Sequence, residues 1–260
     1  MRPTRLVIVA LVFAVAPMTP AQAQKKAPDG AKVLLLSGGQ RQHHGYRDQA
    51  FYLANTIEDT GKYQVTICED ASILETPALG KYDVLFVTAD RRDPEFKFTK
   101  AQQDAILAFV KSGHGYLTIH GGDNAAPDWD PEFRVMLGGI FSHVGKPDGK
   151  TRKGAYHVKI ADSSSPVTQG VEDFDLKDEL YYHLQMEPDV KPLATVEYDG
   201  TDWPVAWTRT YGQGRVFHTP LGHRDFGPDK DDPLHNPPFM KLVLQGIAWA
   251  AEVPKTESGK

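Results

Sequence analysis

One cysteine, Cys68, is all the thiol that the 260 residues contain. That excludes an internal disulfide, a CxxC redox pair and a Cys₄ zinc site. Cys68 ends the strand-like run Tyr63-Gln-Val-Thr-Ile-Cys68, which predicts a buried, inert thiol rather than a nucleophile. A basic excess is also missing. Lys plus Arg number 29 against 34 Asp plus Glu, a formal net charge of -5. Such a chain has no electrostatic footprint for a phosphate backbone, so nucleic acid is not an expected partner. No GxGxxG or GxxxxGKS pattern occurs, so a nucleotide cofactor has no support, and the HExxH zinc signature is absent too. Internal repeats and low-complexity tracts are lacking. No apolar run is long enough to span a bilayer.

The longest apolar run, Leu6 to Ala16, has a different meaning. Arg2 and Arg5 precede it, and the small-x-small site Ala21-Gln22-Ala23 follows. This is the pattern of a secretory signal peptide over residues 1–23, the alternative being a retained anchor. It predicts a periplasmic or secreted protein with no stable membrane insertion after cleavage. Removal of residues 1–23 takes away two arginines and no acid, which leaves the mature chain at -7. Residues 24–31 read as a polar linker, 32–251 as one α/β domain, and 252–260 as a polar tail.

Within the domain, Val33-Leu-Leu-Leu-Ser37, Tyr63 to Cys68, Tyr82 to Thr88 and Tyr116-Leu-Thr-Ile-His120 are nearly continuous apolar runs. Runs of this kind suit strands buried on both faces, as in a parallel sheet. Helices are expected between them. One covers Asp48 to Thr60, with Phe51, Leu53, Ala54 and Ile57 apolar. Another opens at the capping box Thr99-x-x-Gln102 and presents Ile106, Phe109 and Val110 on one face. The expected fold class is therefore a three-layer α/β sandwich, an open and mostly parallel sheet with helices on both faces. The second half reads as antiparallel strands at His157 to Ile160, Leu193 to Tyr198, Val205 to Tyr211 and Arg215 to Thr219. Residues 123–153 form a long ordered loop with a short helix at Pro131 to Leu137. A closing helix runs from Pro237 to Ala251.

Ligands of open parallel sheets sit beyond the carboxyl ends of the strands. Polar residues gather there from several parts of the chain: His43, His44 and Arg47 after the first strand, and Asp90-Arg91-Arg92-Asp93 after the third. His120, Gly121, Gly122, Asp123 and Asn124 follow the fourth, and His223 and Arg224 a late hairpin. Five of the ten histidines fall near this rim: His43, His44, His120, His143 and His223. Neutral imidazoles suit zinc or a similar divalent metal, and equally acid–base catalysis near neutral pH. The run Asp178-Glu179-Leu180-Tyr181-Tyr182-His183 mixes carboxylate, ring and imidazole, as sugar binding requires. Its plainer meaning is a surface turn followed by an amphipathic strand.

Several blocks resemble the ThuA-like (trehalose utilisation) family. They are Gly113-His-Gly-Tyr-Leu-Thr-Ile-His120-Gly, Pro131-Glu-Phe-Arg-Val-Met-Leu-Gly-Gly139 with Phe141-Ser-His143, Asp178-Glu-Leu-Tyr181, and the long block Pro204 to His223. The resemblance runs from about Lys32 to Ala251. It implies a class I glutamine amidotransferase-like fold and a role in carbohydrate catabolism, on oxidised (3-keto) sugars or glycosides. It also exposes a departure. An amidotransferase would carry cysteine at the elbow after the fourth strand, where this chain carries His120-Gly121. Without a thiolate there is no route to a glutamyl thioester.

Two functions follow as expectations. One is an exported hydrolase, lyase or isomerase acting on a small carbohydrate. His120, His223 and Glu179 would be catalytic, and His43, His44, Arg47, Asp123, Tyr181 and Arg224 would bind substrate. Any divalent metal would be held by His120, His143 and His223. The other is a non-catalytic carbohydrate-binding or accessory protein using the same cleft.

Overall fold

A computed structural model of the chain describes residues 30–39, 44–124, 128–225 and 232–252. The expected signal segment, most of the linker, His43 and the last residues of the tail lie outside the described residues. No helix among those described is long and apolar enough to cross a membrane.

The chain begins with β1 (Ala31–Leu36), α1 (Tyr46–Asp59), β2 (Tyr63–Cys68), β3 (Val84–Val87), α2 (Lys100–Lys111) and β4 (Gly115–Ile119). A 3-10 turn over His120–Asp123 leads on to α3 (Pro131–Leu137). Then come β5 (Gly139–Ile140), β6 (Lys150–Ile160), β7 (Phe174–Tyr182), β8 (Gln185–Met186), β9 (Pro192–Tyr198), β10 (Thr201–Tyr211), β11 (Gly214–Thr219) and α4 (Pro237–Ala251). Nine strands make one sheet in the order β2-β1-β3-β4-β11-β10-β9-β6-β7, while β5 and β8 pair separately. β2, β1, β3, β4 and β11 are mutually parallel, and β10, β9, β6 and β7 continue as an antiparallel wing.

The apolar runs are continuous because both faces of the parallel block are covered. Val33, Leu35, Phe86, Leu117 and Phe217 pack with Leu53 and Ile57 of α1 and with Phe239, Leu242, Val243 and Ile247 of α4. Their neighbours Leu34, Leu36, Leu85, Val87, Tyr116 and Val216 face the other way, onto Ile106, Phe109 and Val110 of α2 and Phe133, Met136 and Leu137 of α3. Each such fully buried side chain contributes on the order of 1.5–3 kcal/mol. Thr99 caps α2 through the reciprocal bonds of a capping box with Gln102.

Three local expectations differ from the structure. Phe51 points outward and is 61% exposed, because two residues of helix turn it about 200° away from Leu53. Cys68 is only half-buried, since β2 is an edge strand, and its thiol donates to the Asp70 carbonyl. The strand expected at His157 begins already at Lys150. Its first half, Lys150-Thr-Arg-Lys-Gly, is mostly exposed and shows no apolar alternation, yet it pairs residue by residue with β7.

The wing decides where the site lies. In a flat sheet, five spacings of about 4.8 Å would put β7 roughly 24 Å from β4. Instead Gly222 and His223, just after β11, donate their backbone N–H groups to the Asp178 carboxylate on β7, at 2.7 and 3.0 Å. The antiparallel wing therefore curls back over the carboxyl ends of β4 and β11.

The elbow after β4 is closely packed. A Cβ at Gly122 would collide with Thr118 Oγ1 and stand 2.6 Å from the Val87 carbonyl oxygen. Gly122→Ala is expected to lower stability by about 1–3 kcal/mol through overpacking, measured by denaturant unfolding. An unchanged midpoint would show that the turn has room to relax.

Candidate functional site

Three chain reversals at the carboxyl edge of the sheet and one strand of the wing meet at a single point. β4 ends at Ile119, and the next residue, His120, takes a left-handed backbone conformation with φ 42°. A β-carbon costs on the order of 1–3 kcal/mol there. The 3-10 turn behind it is held from two sides. The Asp123 carboxylate lies 3.1 Å from His218 Nε2, and the Asn124 side-chain amide donates to Asp90 at 2.8 Å. The strained elbow thus keeps one orientation, with His120 almost fully buried.

His223 arrives from the segment after β11, and its backbone is fixed by Asp178. The loop before α1 is clipped to that segment, because the Gly45 N–H donates to the Arg224 carbonyl and the Gln49 side chain to the Gly222 carbonyl. This brings in His44, whose ring centroid lies 5.1 Å from that of His120 and 5.0 Å from that of His223. Glu179 comes from β7. Tyr181, two residues along on the same face, packs its ring against His120 at 4.1 Å.

Hydrogen-bond chemistry fixes which nitrogens face inward. His120 Nδ1 is 3.0 Å from the Pro220 carbonyl oxygen, which can only accept, so Nδ1 carries the proton and donates. His223 Nε2 is 2.9 Å from the Asp225 carboxylate and donates there in the same way. In the neutral rings, the lone pairs of His120 Nε2 and His223 Nδ1 are then left facing each other at 2.9 Å. Glu179 Oε2, another acceptor, stands 3.4 Å from the first and 3.1 Å from the second. Three electron-pair donors converge with no donor hydrogen among them. A proton or a cation must sit between them for the arrangement to be stable.

The electrostatics agree. Burial pushes the Glu179 carboxyl up, but hydrogen bonds to His120 and His223 and their charge outweigh it and hold the group well below the usual carboxylate range. Burial pushes His223 down, yet its bonds to Glu179 and Asp225 raise it overall. Asp178, fully enclosed, is raised by burial against the pull of His120 and of the three backbone N–H groups that it accepts. Together His44, His120, Glu179 and His223 form a group whose candidate donor atoms all lie within 4.8 Å of one another, a set that can hold a metal ion.

The cluster opens into a cavity of about 330 Å³. Phe141 and Tyr181 give it an aromatic wall, and Arg92, Thr151, Lys153 and His143 a polar one. The Arg92 guanidinium is held by the buried Asp90 at 2.9 Å and lies over the Phe141 ring.

Of the residues singled out in the sequence, His44, His120, Glu179, Tyr181 and His223 meet here. His143 lines the cavity but stands outside the cluster, paired with Asp148 at 3.1 Å and 58% exposed. Arg47 pairs with Glu69 on the surface and borders a separate cavity of about 210 Å³. Asp123 is enclosed against His218 and serves the elbow from behind. Arg224 is ion-paired with Asp232 and is not among the lining residues. His43 lies outside the described residues. Asp225, Lys153 and Tyr46 are assigned no role from the sequence, and Asp178, read there as part of a sugar-binding run, instead fixes the backbone at Gly222 and His223. Tyr46 supports His44 through its hydroxyl, 3.0 Å from Nδ1. Asp225, two residues after His223, and Tyr46, two after His44, lay close enough in the chain to have been noticed, while Lys153 carried no such signal.

The raised His223 pKa makes a signed prediction. A group raised on folding stabilises fully below its unfolded value of about 6.5 and loses that contribution as pH rises through the folded value. In metal-free protein, the difference in thermal midpoint between the native chain and His223→Gln should therefore be larger at pH 6 than at pH 9. A difference independent of pH would contradict the assigned partners.

A family model described as ThuA, trehalose utilisation, matches residues 32–250. Among solved structures, one described as a ThuA-like protein from Parabacteroides merdae ATCC 43184 is 24% identical with a TM-score of 0.72, covering 86% of this chain and 91% of that one. Another from Bacteroides uniformis ATCC 8492 is 21% identical with a TM-score of 0.66, covering 94% and 98%. The fold also recurs in a β-galactosidase from Rahnella sp. R3, at 11% identity and a TM-score of 0.57, covering 85% of this chain but 32% of that one. At these identities the solved structures establish the fold alone. No curated protein matches the sequence. The family match spans most of the chain and agrees with the architecture and the sequence blocks, and the chain belongs to the ThuA, trehalose-utilisation family.

Proposed function

We propose that the protein is an exported enzyme of carbohydrate catabolism, a hydrolase, lyase or isomerase acting on an oxidised (3-keto) sugar or its glycoside. The observation that carries this reading is the convergence of buried His120 with His223 and Glu179, two residues that line a polar, aromatic-walled cavity. Export rests on the signal pattern of residues 1–23.

A ketone at C3 acidifies the adjacent C–H bonds. Removing that proton needs a base of near-neutral pKa, and the resulting enolate oxygen needs an electrophile. His120 and His223 are the candidates for these two roles, with Glu179 holding the charge of whichever ring is protonated. Zinc or a similar divalent ion, if held by the same cluster, would take the lone pairs of His120 and His223 and supply Lewis-acid stabilisation of the enolate oxygen in their place, leaving the proton to another cavity group. The Tyr181 and Phe141 rings offer apolar surface to a sugar ring, and Arg92, Thr151 and Lys153 offer donors to its oxygens.

Glutaminase chemistry is not part of the proposal. His120 occupies the elbow, and Cys68 lies on β2, three strands and roughly 14 Å across the sheet.

A panel of sugars and glycosides, each with its 3-keto form, tests the reading by following consumption of substrate. The 3-keto forms should be consumed and the parent sugars should not. His120→Ala should lose about 10² in rate or more while its unfolding profile stays close to that of the native chain. Binding without turnover would replace the enzyme by a carbohydrate-binding protein. A folded, fully active His120→Ala variant would remove the cluster from the chemistry.

A further inference from the structure

The geometry points to a specific divalent transition-metal centre. His120 Nε2, His223 Nδ1 and Glu179 Oε2 form one face of it, and His44 is the fourth ligand. Its open side faces the cavity and would take an α-hydroxyketone through two adjacent oxygens. The metal site stands on its own geometry. The α-hydroxyketone part rests on the carbohydrate reading, since a 3-keto sugar carries hydroxyls on both carbons beside its ketone.

Four observations support the ion. The first is spacing. Nitrogen and oxygen ligands about 2.1 Å from a shared ion lie about 3.0 Å apart at a right angle and about 3.4 Å apart at the tetrahedral angle. The three separations here are 2.9, 3.1 and 3.4 Å. The second is tautomer. Both inward nitrogens are unprotonated in the neutral rings, because the outward ones donate to Pro220 and Asp225. Metal-ligating histidines are oriented in this way, with the second ring N–H given to a carbonyl or a carboxylate. The third is charge. Glu179 is the one carboxylate in the group, and its Oε2 stands 3.4 and 3.1 Å from the two inward nitrogens, an anionic donor beside two neutral ones. The fourth is His44. It adds a third imidazole steadied at Nδ1 by Tyr46, whose hydroxyl in turn accepts the Asp90 backbone N–H.

Two imidazoles and one carboxylate on a common face, with a third imidazole beside them, suit Zn²⁺, Mn²⁺, Fe²⁺, Co²⁺ or Ni²⁺ and disfavour Ca²⁺ and Mg²⁺, which prefer all-oxygen shells. Four protein ligands leave room for exogenous oxygens on the side facing the cavity. An α-hydroxyketone can close a five-membered chelate there, while its carbon chain meets Tyr181 and Phe141. Ligation uses the lone pairs of His120 and His223. In the metal-loaded protein, proton transfer then falls to another cavity group, and His143, paired with Asp148, is the imidazole that remains outside the cluster.

The test uses the full mature chain, stripped with chelator and equilibrated separately with Zn²⁺, Mn²⁺ and Co²⁺. Elemental analysis after dialysis should find one ion per chain. The Co²⁺ form should show visible ligand-field bands, and dihydroxyacetone, a simple α-hydroxyketone, should shift them while glycerol leaves them unchanged. Glu179→Gln should abolish stoichiometric loading. Asp225→Asn, which weakens the carboxylate that His223 shares with Lys153 and touches none of the four ligands' inward atoms, should weaken loading 10- to 100-fold with the fold retained by circular dichroism. Asp225→Asn thus keeps the test decisive if Glu179→Gln fails to fold. No bound ion, or an ion retained equally by both variants, would overturn the site. An ion whose bands ignore dihydroxyacetone would overturn the α-hydroxyketone assignment. Loading without turnover of any keto-sugar would sink the proposed reaction and leave the metal site standing. Full turnover by stripped protein that also retains no ion after equilibration would sink the metal site and leave the reaction standing.

Discussion

Two outward hydrogen bonds set the chemistry of this molecule. The Pro220 carbonyl and the Asp225 carboxylate each take a ring N–H, one from His120 and one from His223. Neither acceptor can give a hydrogen back. The other nitrogen of each ring therefore presents a lone pair inward, toward the Glu179 carboxylate. Most other features around the cluster keep that arrangement in place. The elbow at His120 is locked by Asp123 and Asn124, the segment carrying His223 by Asp178, and the loop carrying His44 by bonds to Gly222 and Arg224.

The curl of the antiparallel wing is the global counterpart of these local bonds. Two-sided burial makes the parallel block rigid and gives it three sheet-edge positions for His44, His120 and His223. The carboxylate it places beside them, Asp225, takes the outward N–H of His223 and does not enter the cluster. Glu179 arrives only because β7, at the far edge of the sheet, returns over the block, and Asp178 anchors it by accepting two backbone N–H groups from the His223 segment. One adjacent pair of acids divides the work. Asp178 fixes the backbone, and Glu179 faces the imidazoles.

Much of this was legible in the sequence, for definable reasons. Val33 to Leu36 and Val84 to Val87 are apolar without interruption because helices cover both faces, so their strands and the parallel sheet could be read directly. The capping box at Thr99 and the glycines after Ile119 marked element ends through local chemistry. His120 and His223 could be placed on one rim because strand ends in such sheets share a side. The rest depends on contacts distant in sequence. Lys150 to Gly154 shows no apolar alternation, so the outer half of β6 had no pattern to betray it. The approach of Glu179 to His120 follows from sheet curvature, which no short motif encodes. Asp123 and Arg224, polar and next to the key histidines, looked like ligand contacts and instead face the protein's interior and Asp232. His143 looked like a metal ligand, and it stands at the cavity wall.

An imidazole, not a thiol, stands at the elbow after β4, and that sets what the site can do. A cysteine there would be an attacking group. A histidine with its Nδ1–H committed to a carbonyl is a lone-pair donor, suited to holding a proton or an ion but not to forming an acyl intermediate. The account depends on that tautomer, and ¹⁵N NMR of the histidine rings in metal-free protein at alkaline pH reads it directly. It predicts that His120 is protonated at Nδ1 and His223 at Nε2, with both inward nitrogens bare. A His120 ring protonated at Nε2, with Nδ1 bare against the Pro220 carbonyl, would contradict it.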